Sequence, residues 1–165
     1  QVLDTFADQQ VVVLTGDQEA DVERFREHPA VEHVFAGVPP DGKVATIQKF
    51  AASGTTAMVG DGTNDAPALG AADVGIAIAG NAAEAADVVL LEGSLSDVPS
   101  VFELASAARR RIRENVGWAL CYNGIAIPLA AVGVLNPLFA ALAMAASSLL
   151  VVSNSRRPLL STTQE

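Results

Sequence analysis

The sequence is poor in cysteine and in aromatic residues. Cys121 is the one cysteine among 165 residues, and aromatic residues make up 5% of a chain that is 50% hydrophobic. A lone cysteine excludes an intrachain disulfide and therefore the disulfide framework of small secreted proteins. We expect Cys121 to act as a small apolar filler, and any core to consist mainly of alanine and branched aliphatic side chains.

Basic residues are scarce in the first two thirds of the chain. Residues 1–108 contain 4 lysines and arginines against 17 aspartates and glutamates, whereas residues 109–165 contain 6 against 2. Nucleic-acid binding requires a basic surface that can neutralise phosphates. The acidic front half therefore argues against a nucleic-acid partner.

Formal charge is absent from residues 115–155, a run of 41 residues. This is twice the roughly 20 residues that a membrane-spanning helix needs. The dipeptide "NP" at 136–137 interrupts the run, because proline lacks a backbone donor and restricts the residue before it. The pattern predicts a transmembrane hairpin with spans at 116–135 and 138–155. The alternative is a buried helical hairpin in a soluble protein.

Arginines flank the predicted hairpin at both ends. One group lies at 109–113 and the other is Arg156 with Arg157. Both groups then face the same side of the membrane, which the positive-inside rule makes the cytoplasm. We expect a multi-pass protein of the plasma membrane, in contact with lipid, with a cytoplasmic soluble domain at 1–96. Residues 97–115 would form a linking helix, 116–157 the two transmembrane helices and 158–165 a cytoplasmic tail.

Short apolar runs alternate with helical patterns in the predicted soluble domain. Strands are predicted at 10–14, 31–35, 55–60, 74–78 and 87–91, and helices at about 18–28 and 41–53. Such alternation is typical of an α/β fold with a parallel, doubly wound sheet and right-handed crossovers. We expect a partial sheet of this kind, followed by the transmembrane hairpin.

Polar motifs follow two of the predicted strands. "TGD" at 15–17 follows the first strand and "GDGTND" at 60–65 follows the third. Ligands of doubly wound sheets bind at the carboxyl ends of the strands, so both motifs should reach one rim. Carboxylates beside glycines suit Mg²⁺ and a closely approaching phosphate. Lys43 could neutralise phosphoryl charge, and Asp65 could cap a helix that has Pro67 in its first turn.

Longer strings around these motifs resemble a known family. "LTGD" at 14–17, "PPDGK" at 39–43 and "MVGDGTNDAPALGAADVGIAI" at 58–78 are similar in order and spacing to P-type ATPases, which belong to the haloacid dehalogenase superfamily. The resemblance implies ATP and Mg²⁺ as cofactors. It implies that Thr15, Gly16 and Asp17 contact the phosphoryl group and that Lys43 stabilises an aspartyl phosphate. Asp61 would bind Mg²⁺, with Asn64 and Asp65 completing the site.

The charge-free region resembles the heavy-metal-transporting class of the same family. "YNGIAIPLAA" at 122–131 and "AMAASSLLVVSNSRR" at 143–157 are similar to its monovalent-copper subgroup. The transported ion would be Cu(I), with Ag(I), Zn²⁺ or Cd²⁺ as alternatives and a copper chaperone as a candidate partner. The implied ligands are Tyr122, Asn123, Met144 and Ser148. A thioether suits soft Cu(I), although small polar residues also hold membrane helices together.

The chain departs from the family pattern in what it lacks. The "DKTGT" motif with the phosphorylated aspartate is absent, as are the nucleotide-binding domain, the actuator domain and the cysteine–proline membrane motif. We expect all of them upstream of Gln1, so that these residues are part of a longer pump and are inactive alone. The loop "AGNAAE" at 79–84 is shorter than usual, which puts Asn81 in doubt.

Two other functions are compatible with the motifs. One is a soluble phosphatase of the haloacid dehalogenase type, which would share the rim chemistry but would need its own nucleophile. The other is a non-catalytic subunit of a split pump, which would dock onto a partner carrying the missing domains.

Overall fold

The computed structural model describes residues 2–18, 22–61, 64–78, 84–91 and 93–159. It consists of two compact units, Gln1–Pro99 and Ser100–Glu165. Asn81 and most of the short loop predicted at 79–84 lie outside the described residues.

The described residues of the first unit form five parallel strands in two sheets. β1 pairs with β2, and β4 lies between β3 and β5. The strands are β1 Val11–Leu14, β2 Val31–Phe35, β3 Ala57–Gly60, β4 Val74–Ile78 and β5 Val88–Leu90. The predicted parallel α/β fold is confirmed. The sheet is divided, because no described strand lies between β1 and β3. Among the described strands, β1 pairs only with β2 and β3 pairs only with β4, so β1 and β3 each have one unpaired edge.

Three short helices connect these strands. They are α1 Glu23–Arg26, α2 Pro40–Ala51 and α3 Ala66–Leu69, and 3₁₀ turns lie at Leu3–Phe6 and Leu95–Asp97. The first helix is shorter than the predicted 18–28. Pro29 disfavours helical geometry at His28, so the helix has to end before that residue. The predicted 41–53 helix is present at Pro40–Ala51. It begins at a proline, which the first turn of a helix tolerates.

The core of the first unit lies between the second sheet and the helices packed on it. Its buried cluster contains Ile47 of α2, Met58 of β3, Leu69 of α3 and Ala77 of β4, and Leu14 of β1 packs against it. Small side chains such as Ala77 let the helices approach closely. This packing holds the carboxyl ends of β1 and β3, where the polar motifs begin, in one compact unit.

Gly75 of β4 has no room for a side chain. A Cβ there would lie 2.8 Å from the Leu69 carbonyl oxygen and 3.2 Å from the Leu69 carbonyl carbon. Since both atoms are backbone, they cannot rotate away. We expect Gly75→Ala to destabilise the chain by about 1–3 kcal/mol through overpacking. Thermal unfolding followed by circular dichroism measures this, and Gly54→Ala, where a Cβ meets open space, should change stability by less than about 0.5 kcal/mol.

The remainder of the chain is dominated by two long helices joined by a short turn. α4 runs from Val98 to Ala131 and α5 from Pro137 to Ser155. The predicted linking helix and first transmembrane span are therefore one continuous helix, and Pro128 lies inside it. The chain turns earlier than the "NP" dipeptide predicts, at 132–136, where Gly133 has φ +75°. Asn136 instead caps α5, accepting from the Leu138 amide at 2.9 Å.

α5 has the length and composition of a membrane-spanning helix. It has 19 residues, and its mean hydropathy reaches 1.7. Its large apolar side chains are exposed: 66% for Phe139 and 70% for Leu149. A buried core helix of a soluble protein would cover them.

Within the described part of the chain, α5 is the one helix that is both long enough and apolar enough to cross a membrane. The apolar half of α4 is interrupted by polar residues and proline. The second predicted span thus has structural support, whereas a membrane location for α4 stays a prediction.

Candidate functional site

The "TGD" motif forms a closed turn directly after β1. The Thr15 hydroxyl donates to Asp17 Oδ2 at 2.9 Å and accepts from the Asp17 amide at 3.1 Å. The Asp17 carbonyl accepts from the Gly37 amide at 2.8 Å. Both side chains of this turn are therefore oriented at the end of the strand, as a loop that binds phosphate requires. A Cβ on Gly16 would meet its nearest atom, Val38 O, at an ordinary 3.8 Å, so this close packing does not demand glycine there.

Lys43 and Asp65 form the tightest polar contact of this region. Lys43 Nζ lies 2.6 Å from Asp65 Oδ1, and the side chains are only 13% and 14% exposed. The contact joins the "PPDGK" motif at the start of α2 to the "GDGTND" motif between β3 and α3. A charge-assisted bond that is largely shielded from water is stronger and less screened than one on the surface. Two of the predicted site residues are thus brought together directly.

A chain of backbone bonds connects this pair to the "TGD" turn. The Thr15 carbonyl accepts from the Val38 amide at 2.9 Å, and the Lys43 amide donates to the Pro39 carbonyl at 3.0 Å. Val38 and Pro39 are consecutive and lead into α2. The three motifs, which are separated in the sequence by 21 and 16 residues, are therefore linked along one rim.

Gly60 allows Asp65 to reach its position. A Cβ on Gly60 would lie 3.0 Å from both Cβ and Oδ2 of Asp65. Such spacing is tighter than most real contacts, so a side chain there would displace the carboxylate that holds Lys43. Sequence reasoning gave the glycines of this motif the role of admitting a phosphate, and it did not foresee that Gly60 makes room for the Asp65 side chain.

Asp65 occupies the N-cap position of α3 but does not cap it. No side-chain cap bond is formed at this position, because the carboxylate is engaged by Lys43. The predicted capping role is therefore wrong. Pro67 does lie in the first turn of α3 as predicted.

Asp61 and Asn64 are exposed on either side of Gly62 and Thr63, which lie outside the described residues. The Asp61 carboxylate directly follows β3, so it is presented at the rim. Mg²⁺ is commonly bound through one or two carboxylates, with waters and phosphate oxygens completing its shell. Carboxylate oxygens suit such an ion. Asp61 is the exposed carboxylate of this motif, whereas the Asp65 carboxylate is bound to Lys43.

The residues predicted for the transported ion lie on the helical hairpin. Tyr122 of α4 donates its hydroxyl to the Ala140 carbonyl of α5 at 3.0 Å, so it joins the two helices. Asn123, Met144 and Ser148 are exposed, and the described residues contain no cluster of three or more His, Cys, Asp or Glu. Cys121 is also exposed, so it does not fill the interior of this unit.

Hydrogen bonds join α4 to the end of α5 at the charged end of the hairpin, which is the end that bears the arginines. The sequence did not predict these bonds. The Asn115 amide nitrogen donates to Ser155 Oγ at 2.9 Å, and its oxygen accepts from the Asn154 amide at 2.9 Å. Arg111 donates to the carbonyl of Asn154 and, at 3.0 Å, to that of Arg157. The available signal was the position of Asn115 and Ser155 at the two ends of the charge-free run, which an antiparallel hairpin brings together.

Comparison with known proteins identifies what the chain is similar to. Residues 1–73 match the family model described as haloacid dehalogenase-like hydrolase. The chain is 47% identical over 150 residues to cation-transporting P-type ATPase B of Mycobacterium tuberculosis strain H37Rv. It is 46% identical over 149 residues to the copper-exporting P-type ATPase of Mycobacterium leprae strain TN. Each match covers 88% of this chain, but 20% and 19% of the respective relative.

A solved structure covers both units of the chain. A zinc-transporting PIB-type ATPase in its E2·Pi state matches with a TM-score of 0.82 and 36% identity, over 90% of this chain and 25% of that one. The match includes the α/β unit and the helical region in one alignment. The chain therefore belongs to the P-type ATPase family, whose catalytic core is of the haloacid dehalogenase type.

Proposed function

We propose that these residues are part of an ATP-driven pump that exports a heavy-metal cation, most consistent with Cu(I), through a Mg²⁺-dependent aspartyl phosphate. The Lys43–Asp65 contact carries the proposal. It fixes a cation and a carboxylate from two distant motifs, largely shielded from water, at the rim that also bears Thr15 and Asp17. A generic acidic turn has no need of such an arrangement, whereas transfer of a phosphoryl group does.

Each rim residue has a role that its contacts allow. The Thr15 hydroxyl, already hydrogen-bonded to Asp17, can turn to donate to a phosphoryl oxygen. Lys43 supplies positive charge to the aspartyl phosphate, and Asp65 keeps its ammonium in place. Asp61 and Asp65 would hold Mg²⁺, which neutralises phosphate charge when bound. Gly16 and Asn64 would shape the two loops around the phosphate.

The nucleophile would come from outside these 165 residues, which contain no "DKTGT" motif. The two unpaired edges of β1 and β3 support this part of the proposal. A strand seated between them would satisfy both rows of backbone groups and join the two sheets into one. Its carboxyl end would then lie between the "TGD" and "GDGTND" loops, where an aspartate could be phosphorylated.

The ion path would lie along the helical hairpin. Met144 and Ser148 are four residues apart on α5, so they share a helix face, and Met144 is 64% exposed. A soft thioether favours Cu(I) over Zn²⁺. Tyr122 and Asn123 would complete the ligand set from α4. The arginines at the charged end of the hairpin place it, and the α/β unit, on the cytoplasmic side of the membrane.

The proposal is tested by metal-stimulated ATP hydrolysis. We expect the full-length parent protein to hydrolyse ATP when Cu(I) or Ag(I) is added, and to respond weakly to Zn²⁺ and Cd²⁺. The 165 residues alone should release no more phosphate than their own Asp61→Ala variant, because they lack the nucleophile.

Two results would contradict separate parts of the proposal. Stimulation of the parent by Zn²⁺ alone would overturn the copper assignment while leaving the pump intact. Phosphate release by the isolated 165 residues above the Asp61→Ala control would favour a self-sufficient phosphatase instead.

A further inference from the structure

A cavity of about 480 Å³ lies at the charged end of the helical hairpin. It is formed by the start of the long helix α4 and the residues around the end of α5. Its lining contains three arginines and one glutamate, namely Arg110, Arg111, Arg157 and Glu114. The remaining lining residues are Ser106, Ala107, Asn154 and Leu159. The cavity lining contains none of the residues proposed for phosphoryl transfer or metal transport.

Arg111 neutralises the end of α5 that would otherwise repel an anion. Its guanidinium donates to the backbone carbonyls of Asn154, Arg157 and Pro158. The last carbonyls of a helix carry the negative end of its dipole. Arg111 bonds one of these carbonyls, that of Asn154, and two carbonyls just beyond the helix, so its charge offsets part of the negative potential of this wall.

Arg110 and Arg157 then leave the cavity positive. Arg110 uses its Nε to bond Glu114 at 3.1 Å, and its side chain is 84% exposed. The two terminal nitrogens of a guanidinium provide four further N–H donors. Glu114 offsets one of the three arginine charges, so the lining keeps a positive balance. Planar, multiple donors of this kind match the oxygens of a phosphate group.

The cavity lies where a membrane surface would be. Arg157 follows the candidate membrane span Pro137–Ser155 by two residues. Arg110 and Arg111 precede the charge-free run that starts at Asn115. Basic pockets between membrane helices on the cytoplasmic side suit lipid headgroups, and the anionic inner leaflet supplies them.

We propose that this cavity binds the phosphodiester headgroup of an anionic membrane lipid. Arg110 and Arg157 contact the phosphate, and Arg111 and the Asn115–Asn154 bond keep the two helices at the spacing that forms the site. The inference rests on the proposed membrane location of the hairpin and not on the ATPase chemistry. A bound lipid would anchor the end of the hairpin that directly follows the α/β unit in the sequence.

The one tryptophan of the chain provides a direct readout. Trp118 lies on α4 seven residues after Arg111, about 10 Å along the helix axis, and is 63% exposed. The 165-residue chain is reconstituted in vesicles of phosphatidylcholine and phosphatidylglycerol, with bromine on the acyl chains of one lipid at a time. The ratio of the two quenching efficiencies measures which lipid occupies the neighbourhood of Trp118. We expect phosphatidylglycerol to be favoured several-fold, since each arginine near the surface contributes about 1 kcal/mol.

The chain offers a control pair with the same charge change. Arg110→Gln with Arg157→Gln removes two arginines of the lining, whereas Arg109→Gln with Arg156→Gln removes their immediate neighbours, which do not line the cavity. We expect the first pair to abolish the preference for phosphatidylglycerol and the second to retain most of it. Equal losses would show diffuse attraction to the surface and overturn the site.

Two further arms separate the remaining possibilities. Inorganic phosphate, added in large molar excess over the protein, should leave the quenching ratio unchanged. A collapse of the ratio would mean that the cavity takes free phosphate and would overturn the lipid assignment. If neither brominated lipid quenches Trp118, the hairpin is not in the membrane, and both this inference and the proposed location fail. Equal quenching by the two lipids would overturn the lipid site but would leave the proposed membrane location intact.

Discussion

Asp61→Ala in the proposed full-length pump is expected to lower Mg²⁺-dependent phosphorylation by about 10²–10³-fold. Loss of one preorganised group that stabilises the charge of the transition state has an effect of this size. Asp61 is exposed at the end of β3, so its removal should change the free energy of unfolding by less than about 0.5 kcal/mol. Incorporation of labelled phosphate from ATP into acid-precipitated protein measures the first effect, and thermal unfolding the second.

Two companion variants make this result specific. Asp61→Asn retains the shape of the side chain without its charge and should lose as much phosphorylation as Asp61→Ala. Asp8→Ala removes another exposed aspartate of the same unit and should retain full phosphorylation. Normal phosphorylation of Asp61→Ala over a range of Mg²⁺ concentrations would remove this residue from the proposed site.

Lys43→Ala is expected to impair both phosphorylation and stability. The variant loses the cation that faces the phosphate, which should lower phosphorylation by about 10²-fold. It also leaves the Asp65 carboxylate, 14% exposed, without its ionic partner. An unsatisfied group of this kind costs about 1–3 kcal/mol of folding free energy. The same acid-precipitation assay and thermal unfolding of the 165-residue chain measure the two effects.

α2 provides a matched control, because Lys49 is the other lysine of the same helix and is exposed. Lys49→Ala should change neither quantity. In the Lys43→Ala, Asp65→Asn double variant, stability should fall by less than the two single changes added together, because each removes the same pair. Phosphorylation should not recover. Equal phosphorylation of Lys43→Ala and Lys49→Ala would make the Lys43–Asp65 pair purely structural.

Much of the architecture was determined by local sequence. The strands at 31–35 and 74–78 were predicted to the residue, because short apolar, β-branched runs bounded by turn residues have few alternatives. The continuous absence of charge from 115 to 155 was enough to predict two long helices. The strings "LTGD", "PPDGK" and "MVGDGTNDAPALGAADVGIAI" indicated a phosphoryl-transfer family, which the comparisons confirmed.

Element boundaries depended on context that a local pattern lacks. α4 continues without a break from Val98 through Pro128 to Ala131, although the sequence suggested a linking helix and a separate span. A change from polar to apolar residues alters what surrounds a helix but not its backbone hydrogen bonds. The turn at 132–136 instead depends on Gly133, whose positive φ is accessible because it has no Cβ.

The tertiary structure alone decided which polar residues meet. Asp65 looked like a helix cap from its position, but packing of α2 against α3 brings Lys43 to it. A charged ammonium is a stronger hydrogen-bond donor to the carboxylate than a backbone amide is. Likewise, Arg111 looked like one charge in a basic cluster, yet the antiparallel hairpin places it against the end of α5. Residue types and spacing thus determined the family, whereas contacts between residues 22 and 46 positions apart arise only when the chain folds back on itself.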